Sequence, residues 1–280
     1  VIDPDLAKLL NRVAEALERL APAPPPPPDL SAARLHVWRA ADGSVLPCAD
    51  KGLDLDLLKG VEAQKRLLAE TVSRFADGLG ANHALLWGAR GAGKSSLVKA
   101  VVTAACRHKA ALKLVEIDRD DIAALPRLFD ALAPLPFRVV VFCDDLSFEA
   151  GSDAAKSLKS AVEGGVRGAP GNVLILATSN RRHLAPERRS EADGPLSAAE
   201  DAEETVSVSD RFGLWIGFPP MTQAAYLEAV RAYAAAYGLD HADLDRKALQ
   251  WAQRRGGRSG RVAAQFIRER AGEVGRPAPF

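Results

Sequence analysis

The segment Gly88-Ala-Arg-Gly-Ala-Gly-Lys94-Ser95 constrains this chain more than any other. It fits the pattern GxxxxGK(S/T) and lies between an apolar run, His83 to Trp87, and a helix-like run, Ser96 to Ala105. Strand, glycine-rich turn and helix in that order turn several backbone N–H groups toward one point. Lys94 can then reach the β and γ phosphates of a nucleotide, and the Ser95 hydroxyl can sit on Mg²⁺. Gly88, Ala89, Arg90, Gly91, Ala92, Gly93, Lys94, Ser95 and Ser96 are therefore the expected cradle for a nucleoside triphosphate. ATP is expected over GTP, because no NKxD guanine motif occurs. A glycine-rich turn without a ligand is the alternative that this segment alone leaves open.

The chain has 280 residues, enough for a large core with a small appendage, and a formal net charge of +1. That balance advertises neither nucleic acid nor membrane. Cys48, Cys106 and Cys143 are far apart and form no CxxC or Cys/His spacing, so neither a disulfide framework nor a zinc site is expected, and a reducing cytoplasmic setting is. No apolar stretch of about 18 residues suggests a membrane span.

Leu6, Leu9, Leu10, Val13, Leu17 and Leu20 recur at helical spacing and predict an amphipathic helix ahead of a proline run, Pro22 and Pro24 to Pro28. The helix is either a tether on a semi-rigid spacer or a piece that packs back on the core. Residues 1–29 are set apart on this ground. Leu35, Val37 and Trp38 suggest a short strand before the turn-like Asp42-Gly43-Ser44, and a helix is predicted over Val61 to Phe75. Beyond the phosphate loop, Leu112 to Ile117, Val139 to Cys143, Val173 to Ala177 and Leu214 to Phe218 are apolar runs separated by helical patterns such as Asp121 to Leu132 and Ala154 to Val162. Alternation of this kind predicts an α/β core over 30–218 with a five-stranded parallel sheet. Residues Glu187 to Glu204 read as an exposed charged insertion. Three helical patterns, Tyr226 to Tyr237, Leu244 to Trp251 and Arg261 to Arg270, predict a helical subdomain over 219–280.

The third of the five predicted strands ends in Asp144-Asp145, at the edge where α/β sheets bind ligands. Asp144 is assigned to the metal and Asp145 to the attacking water. The next strand ends in Ala177-Thr178-Ser179-Asn180, and Asn180 can hold that water and sense the γ phosphate. Arg211 precedes the last strand and Arg261 opens a helix; arginine's planar fork suits phosphate.

In this order, the strings LLWGARGAGKSSLVKA, FCDDLSFE, ATSNRRHL, SDRFGLW and SGRVAAQFI resemble the AAA+ ATPases, and within them a bacterial ATP-binding family of uncharacterised function. The resemblance covers roughly Leu53 to Ile267. It implies a P-loop NTPase with sheet order 5-1-4-3-2, a C-terminal α-helical lid, and nucleotide bound between core and lid. It also implies Asn180 as a first sensor, Arg261 as a lid sensor, Arg211 as a finger acting in trans in a homo-oligomer, and Leu58, Gly60 and Val61 bordering the adenine. One position departs from the commoner pattern, which has Asp-Glu where this chain has Asp144-Asp145. The shorter carboxylate implies slow turnover unless the backbone compensates or nearby Glu149 substitutes.

Two functions follow. The first is a Mg²⁺-dependent ATPase that remodels or loads a protein or nucleic-acid partner; the second is a slow ATP-dependent switch or binding module. A small-molecule kinase is a weaker third. Arg181-Arg182-His183, Arg188-Arg189 and Arg254-Arg255 with Arg258 are basic clusters that could meet phosphate backbones. Asp118-Arg119-Asp120-Asp121 stands where a peptide-threading machine carries an aromatic-glycine loop, which argues against threading.

Overall fold

Valine- and isoleucine-rich runs buried on both faces build the centre of the molecule. The computed structural model describes residues 4–20, 27–50, 53–146, 153–163, 168–180, 211–239 and 242–277. In chain order the strands are β1 (Leu35–Trp38), β2 (Val45–Cys48), β3 (Ala84–Gly88), β4 (Leu112–Ile117), β5 (Arg138–Cys143), β6 (Val173–Ser179) and β7 (Leu214–Phe218). Every residue of β6 and all but the first of β5 are buried, as expected where helices cover both faces of a parallel sheet.

The sheet corrects the five-stranded expectation: it has seven strands in the order β2-β1-β4-β5-β6-β3-β7 and is mixed. β1 adds parallel to β4, and β2 returns antiparallel to β1. The physical cause is the turn between them. Gly43 takes φ 71°, its N–H donates to the Arg39 carbonyl at 3.0 Å, and Arg39 N–H donates to the Ser44 carbonyl at 3.0 Å. Asp121 fastens the hairpin by accepting from Ala40 N–H at 3.0 Å. Pro47 has no N–H to offer, which suits β2 to the sheet edge. The acidic stretch after β4 is thus structural: Asp118 caps a short 3₁₀ turn, Arg119–Ala124, and Asp121 holds β1 in place.

Helices α2 (Glu62–Ala76) and α3 (Lys94–His108) cover one face of the sheet around Leu68, Val72, Leu97 and Val101. On the other face α4 (Leu125–Leu132) and α5 (Asp153–Glu163) pack through Leu128, Phe129 and Leu158. α4 starts later than the apolar pattern suggests, because Pro126 fits only a helix's first turn. After β7 come α6 (Gln223–Ala236), α7 (Leu244–Arg254) and α8 (Gly260–Glu273), closed around Tyr226, Val230, Phe266 and Ile267. Thr222 caps α6 by accepting from Ala225 N–H, and Ser259 caps α8 by accepting from Val262 N–H, both at 3.2 Å.

At the other end of the chain, α1 (Pro4–Leu20) leaves Leu6, Leu9, Leu10 and Val13 about half exposed. The expected insertion at 187–204, the basic clusters at 181–183 and 188–189, Glu149, and Pro22 with Pro24 to Pro26 lie outside the described residues. Among the described residues, no helix is long and apolar enough to cross a membrane.

Candidate functional site

β3 delivers the chain into a tight loop whose glycines are there for backbone reasons. Gly88, Gly91 and Gly93 have φ of 144°, 75° and 94°, in the region side chains rarely adopt. A Cβ on Gly88 would stand 2.4 Å from the Phe218 carbonyl, and one on Gly91 would stand 3.0 Å from Ser259 Oγ. The loop is therefore clamped between the end of β7 and the first turn of α8. Arg261 N–H also donates to the Gly91 carbonyl at 3.4 Å.

Lys94 is buried, and all three of its donors are used: on the Gly88 carbonyl at 2.7 Å, the Ala89 carbonyl at 2.9 Å and Asn180 Oδ1 at 3.1 Å. Burial lowers its pKa, while Asp145 and Asp144 raise it and Arg261 and Arg90 lower it further. Asn180 in turn donates through Nδ2 to Asp145 Oδ1. The amide thus links the loop lysine to the acid at the end of β5.

Asp144 is held on one side only. Its Oδ1 accepts from Ser95 Oγ at 2.6 Å, Thr178 Oγ1 at 2.5 Å and Asp145 N–H at 3.0 Å, while Oδ2 accepts no hydrogen bond among the described residues. The Thr178 hydroxyl also accepts from Asp145 N–H at 2.8 Å. Asp145 itself has φ 51°, the one non-glycine among the described residues with positive φ. Aspartate tolerates this left-handed turn better than most residues.

These groups open onto a cavity of about 670 Å³ between the core and the C-terminal helices, within the range of small-molecule sites. Its walls include Leu58, Arg90 to Ser96, Asp144, Asp145, Asn180 and Arg261. Five expected residues do not line it. Gly88 and Ala89 act through their carbonyls on Lys94. Gly60, at φ 74°, serves packing, since a Cβ there would fall 2.6 Å from Ala225 Cβ of α6. Val61 is buried in the core under α2. Arg211 lies away from the cavity, paired with Glu163 at the end of α5. Conversely, Leu53, Lys99, Thr178, Tyr233, Gly260 and Ala264 line the cavity and were not singled out as its residues. Lys99 falls one helical turn after Ser95, a spacing that could have found it, and it pairs with Glu116 of β4 at 2.9 Å. Tyr233 comes from α6, and no local signal marks it.

The donor set fits a nucleotide with Mg²⁺. Ser95 Oγ and the open Oδ2 of Asp144 are hard oxygen donors at one point, which suits that ion. Lys94, Arg90 and Arg261 supply positive charge around the loop.

A family model described as "Protein of unknown function (DUF815)" matches residues 31–274. No curated protein matches the sequence. Among solved structures, the Orc1 protein of Aeropyrum pernix in complex with DNA is similar at 18% identity and TM-score 0.57, over 79% of this chain and 62% of that one. The RuvB Holliday junction branch migration motor of Thermotoga maritima is similar at 19% identity and TM-score 0.52, over 81% of this chain and 68% of that one. This chain therefore spans less than two thirds of the Orc1 chain. The fold is similar to that of these two proteins.

Proposed function

The chain belongs to the DUF815 family, and we propose that it is a Mg²⁺-dependent ATPase of the AAA+ class that uses turnover to act on a macromolecular partner. The observation that carries this reading is the convergence of Lys94, Ser95, Asp144, Asp145, Asn180 and Arg261 on one cavity from four separate segments. Lys94 and the loop amides would bind the phosphates, and Ser95 with Asp144 would hold the ion. Mg²⁺ held there would supply charge neutralisation at the phosphates. Asp145 orients the attacking water and takes its proton on the carboxylate, steadied by Asn180. Leu53, Leu58, Tyr233 and Ala264 form the less polar wall, which suits the base. In this reading 30–218 is the nucleotide core and 219–280 the lid. Contacts from Gly91 to Ser259 and from Gly60 to Ala225 tie core to lid, so a change at the phosphates is passed to the helices.

Arg211 completes the site from a second copy of the chain. Its position away from its own cavity supports a role in trans, which makes activity depend on assembly. ATP turnover per chain, measured against protein concentration, rises as the oligomer forms, and Arg211→Ala removes that rise. A rate independent of concentration and untouched by Arg211→Ala defeats the assignment. Turnover lost in both Lys94→Ala and Asp145→Asn, but retained binding in the second, is the expected pattern for the cavity itself.

Nucleic acid is the partner that surface charge favours. Arg254, Arg255 and Arg258 are exposed at the end of α7 and beyond it, and form no ion pair among the described residues. Neutralising phosphates with such a cluster gives a steep salt dependence. The fold likeness to a protein in complex with DNA agrees with this choice. Turnover with and without single- and double-stranded DNA is the test; no stimulation and no binding at low salt excludes the partner.

A slow switch is the second reading, favoured by Asp145. Its amide and its carboxylate are both engaged within the site, by Thr178 and Asn180. Basal turnover that Asp145→Glu raises supports a rate limited by side-chain reach. A fast basal rate removes the switch.

A further inference from the structure

A second cavity, of about 470 Å³, opens at the far end of α3 from Lys94, beneath the β1–β2 hairpin. Lys113, Arg34, Arg107, Asp50, Cys48 and Cys106 are among its walls. Lys113 is only 6% exposed, yet its ammonium has one hydrogen-bond acceptor, the Ala33 carbonyl at 3.0 Å, besides the Phe137 ring face at 5.0 Å. An ammonium carries three donors, and here one is used; the Asp29 carboxylate acts on Lys113 only through space, being exposed and already accepting from the amide and hydroxyl of Ser31. Lys113 forms no ion pair among the described residues. Neither does Arg34, which is exposed.

The two cations are neighbours by construction. β1 pairs with β4 so that Leu35 stands beside Leu114, which sets Arg34 beside Lys113 across the strands. Like charges opposite one another in a sheet destabilise it unless something negative lies between them. Arg107 is not part of this surplus: it meets Asp50 at 3.4 Å and sits in the last turn of α3, where a cation complements the helix carbonyls. Burial pushes the Cys106 thiol up to about 11, while Lys113 and Arg34 act to lower it and Asp50 to raise it, so both cations bear on this one wall beside Asp50.

We propose that this cavity is a second phosphate site, holding the phosphate group of a small molecule between Lys113 and Arg34. A phosphate monoester carries between one and two negative charges at neutral pH, which suits two cations that form no ion pair among the described residues. Arg34 offers a planar fork to two of its oxygens, and Lys113 offers a point charge from the buried side. The volume leaves room for the body of a small phosphorylated compound. The site is independent of the ATP reading, since it shares no residue with the first cavity.

The test is calorimetric titration of the full chain carrying Lys94→Ala, which disables the loop at the first cavity. Orthophosphate and a nucleoside monophosphate are the two probes. One binding event is expected in this background, weakened roughly tenfold or more by Arg34→Ala and by Lys113→Met, as for loss of one charge-assisted contact. Equal affinity for the two probes identifies the free anion as the ligand; tighter binding of the monophosphate identifies a phosphorylated metabolite. Absence of binding in the Lys94→Ala chain, or binding that survives both substitutions, overturns the proposal. Arg34 is exposed, so its variant decides the matter even if Lys113→Met does not fold.

Discussion

Replacing Gly60 by alanine tests how tightly the α/β core is joined to the C-terminal helices. Two penalties add at this position. The backbone sits at φ 74°, where a side chain costs about 1–2 kcal/mol. The new Cβ would lie 2.6 Å from Ala225 Cβ, whereas carbon atoms settle roughly 3.5–4.0 Å apart, so core and α6 must separate by about 1 Å. Overpacking of this kind costs about 1–3 kcal/mol. The single variant should therefore lose about 2–5 kcal/mol. Ala225→Gly alone costs up to about 1 kcal/mol as a glycine near a helix start. In the double variant the contact penalty disappears and the backbone penalty stays, so the coupling should be about 1–3 kcal/mol and favourable. Urea unfolding of the four proteins measures it. Additivity within about 0.5 kcal/mol would refute the close approach and leave only the backbone reason for glycine. ATP affinity should fall with Gly60→Ala and recover in the double variant, because Leu58, two residues earlier, lines the cavity.

Thr178→Val keeps the shape but removes the hydroxyl that donates to Asp144 and accepts from Asp145 N–H. Turnover should drop about 10–100-fold with the apparent Mg²⁺ affinity, as outer-shell partners of a metal site do, while ATP binding measured without Mg²⁺ stays near its starting value. An unchanged Mg²⁺ dependence counts against Asp144 as a ligand. His83 supplies a pH prediction: burial depresses it from the ordinary 6.5 to about 4, and its Nδ1 accepts from Ile175 N–H at 3.1 Å, a bond open only to the neutral ring. Above pH 6.5 it contributes no pH dependence; between 6.5 and 4 the unfolded chain binds a proton that the folded chain does not. Stability should thus fall by up to about 3 kcal/mol across that window, and His83→Gln should flatten the fall in urea titrations at pH 7 and 4.5.

What could be read from the sequence was local. The runs that became β3 to β7 are mostly apolar, with Lys113 and Glu116 of β4 and Arg138 of β5 as the charged exceptions, and the phosphate loop is a contiguous pattern whose Lys94 and Ser95 line the first cavity. The β1–β2 hairpin is harder, because its four-residue strands carry His36 and Pro47 and gain their place from pairing with β4, far along the chain. Tyr233 and Ala264 look like ordinary helix residues until α6 and α8 are docked over the loop. Thr178 and Lys99 were close to visible: one is two residues before Asn180, and the other is one turn from Ser95. Gly60 was read as part of the base wall, yet its reason is contact with Ala225, a non-local fact. The pairing of Arg211 with Glu163 likewise has no local signature.

Asp145 shows how structure changes an argument that side-chain length alone had made. Aspartate is one methylene shorter than glutamate, and from an extended strand end its carboxylate falls short of where glutamate's would reach. Here the chain has already turned left-handed, at φ 51°, so the side chain does not leave along the direction the strand would give it. The amide of Asp145 is fixed to Thr178 and Asp144, and its carboxylate to Asn180, which is itself bound to Lys94. A short acid is easier to hold in such a turn, since aspartate visits the left-handed region more readily than glutamate. Lengthening it gains reach but strains the backbone that aims it. In the ATPase reading two opposed terms act on the rate, and the response of turnover to Asp145→Glu measures which is larger. If the backbone term wins, turnover falls in Asp145→Glu and the short acid is what this turn requires, held in place by the Lys94–Asn180–Asp145 hydrogen bonds.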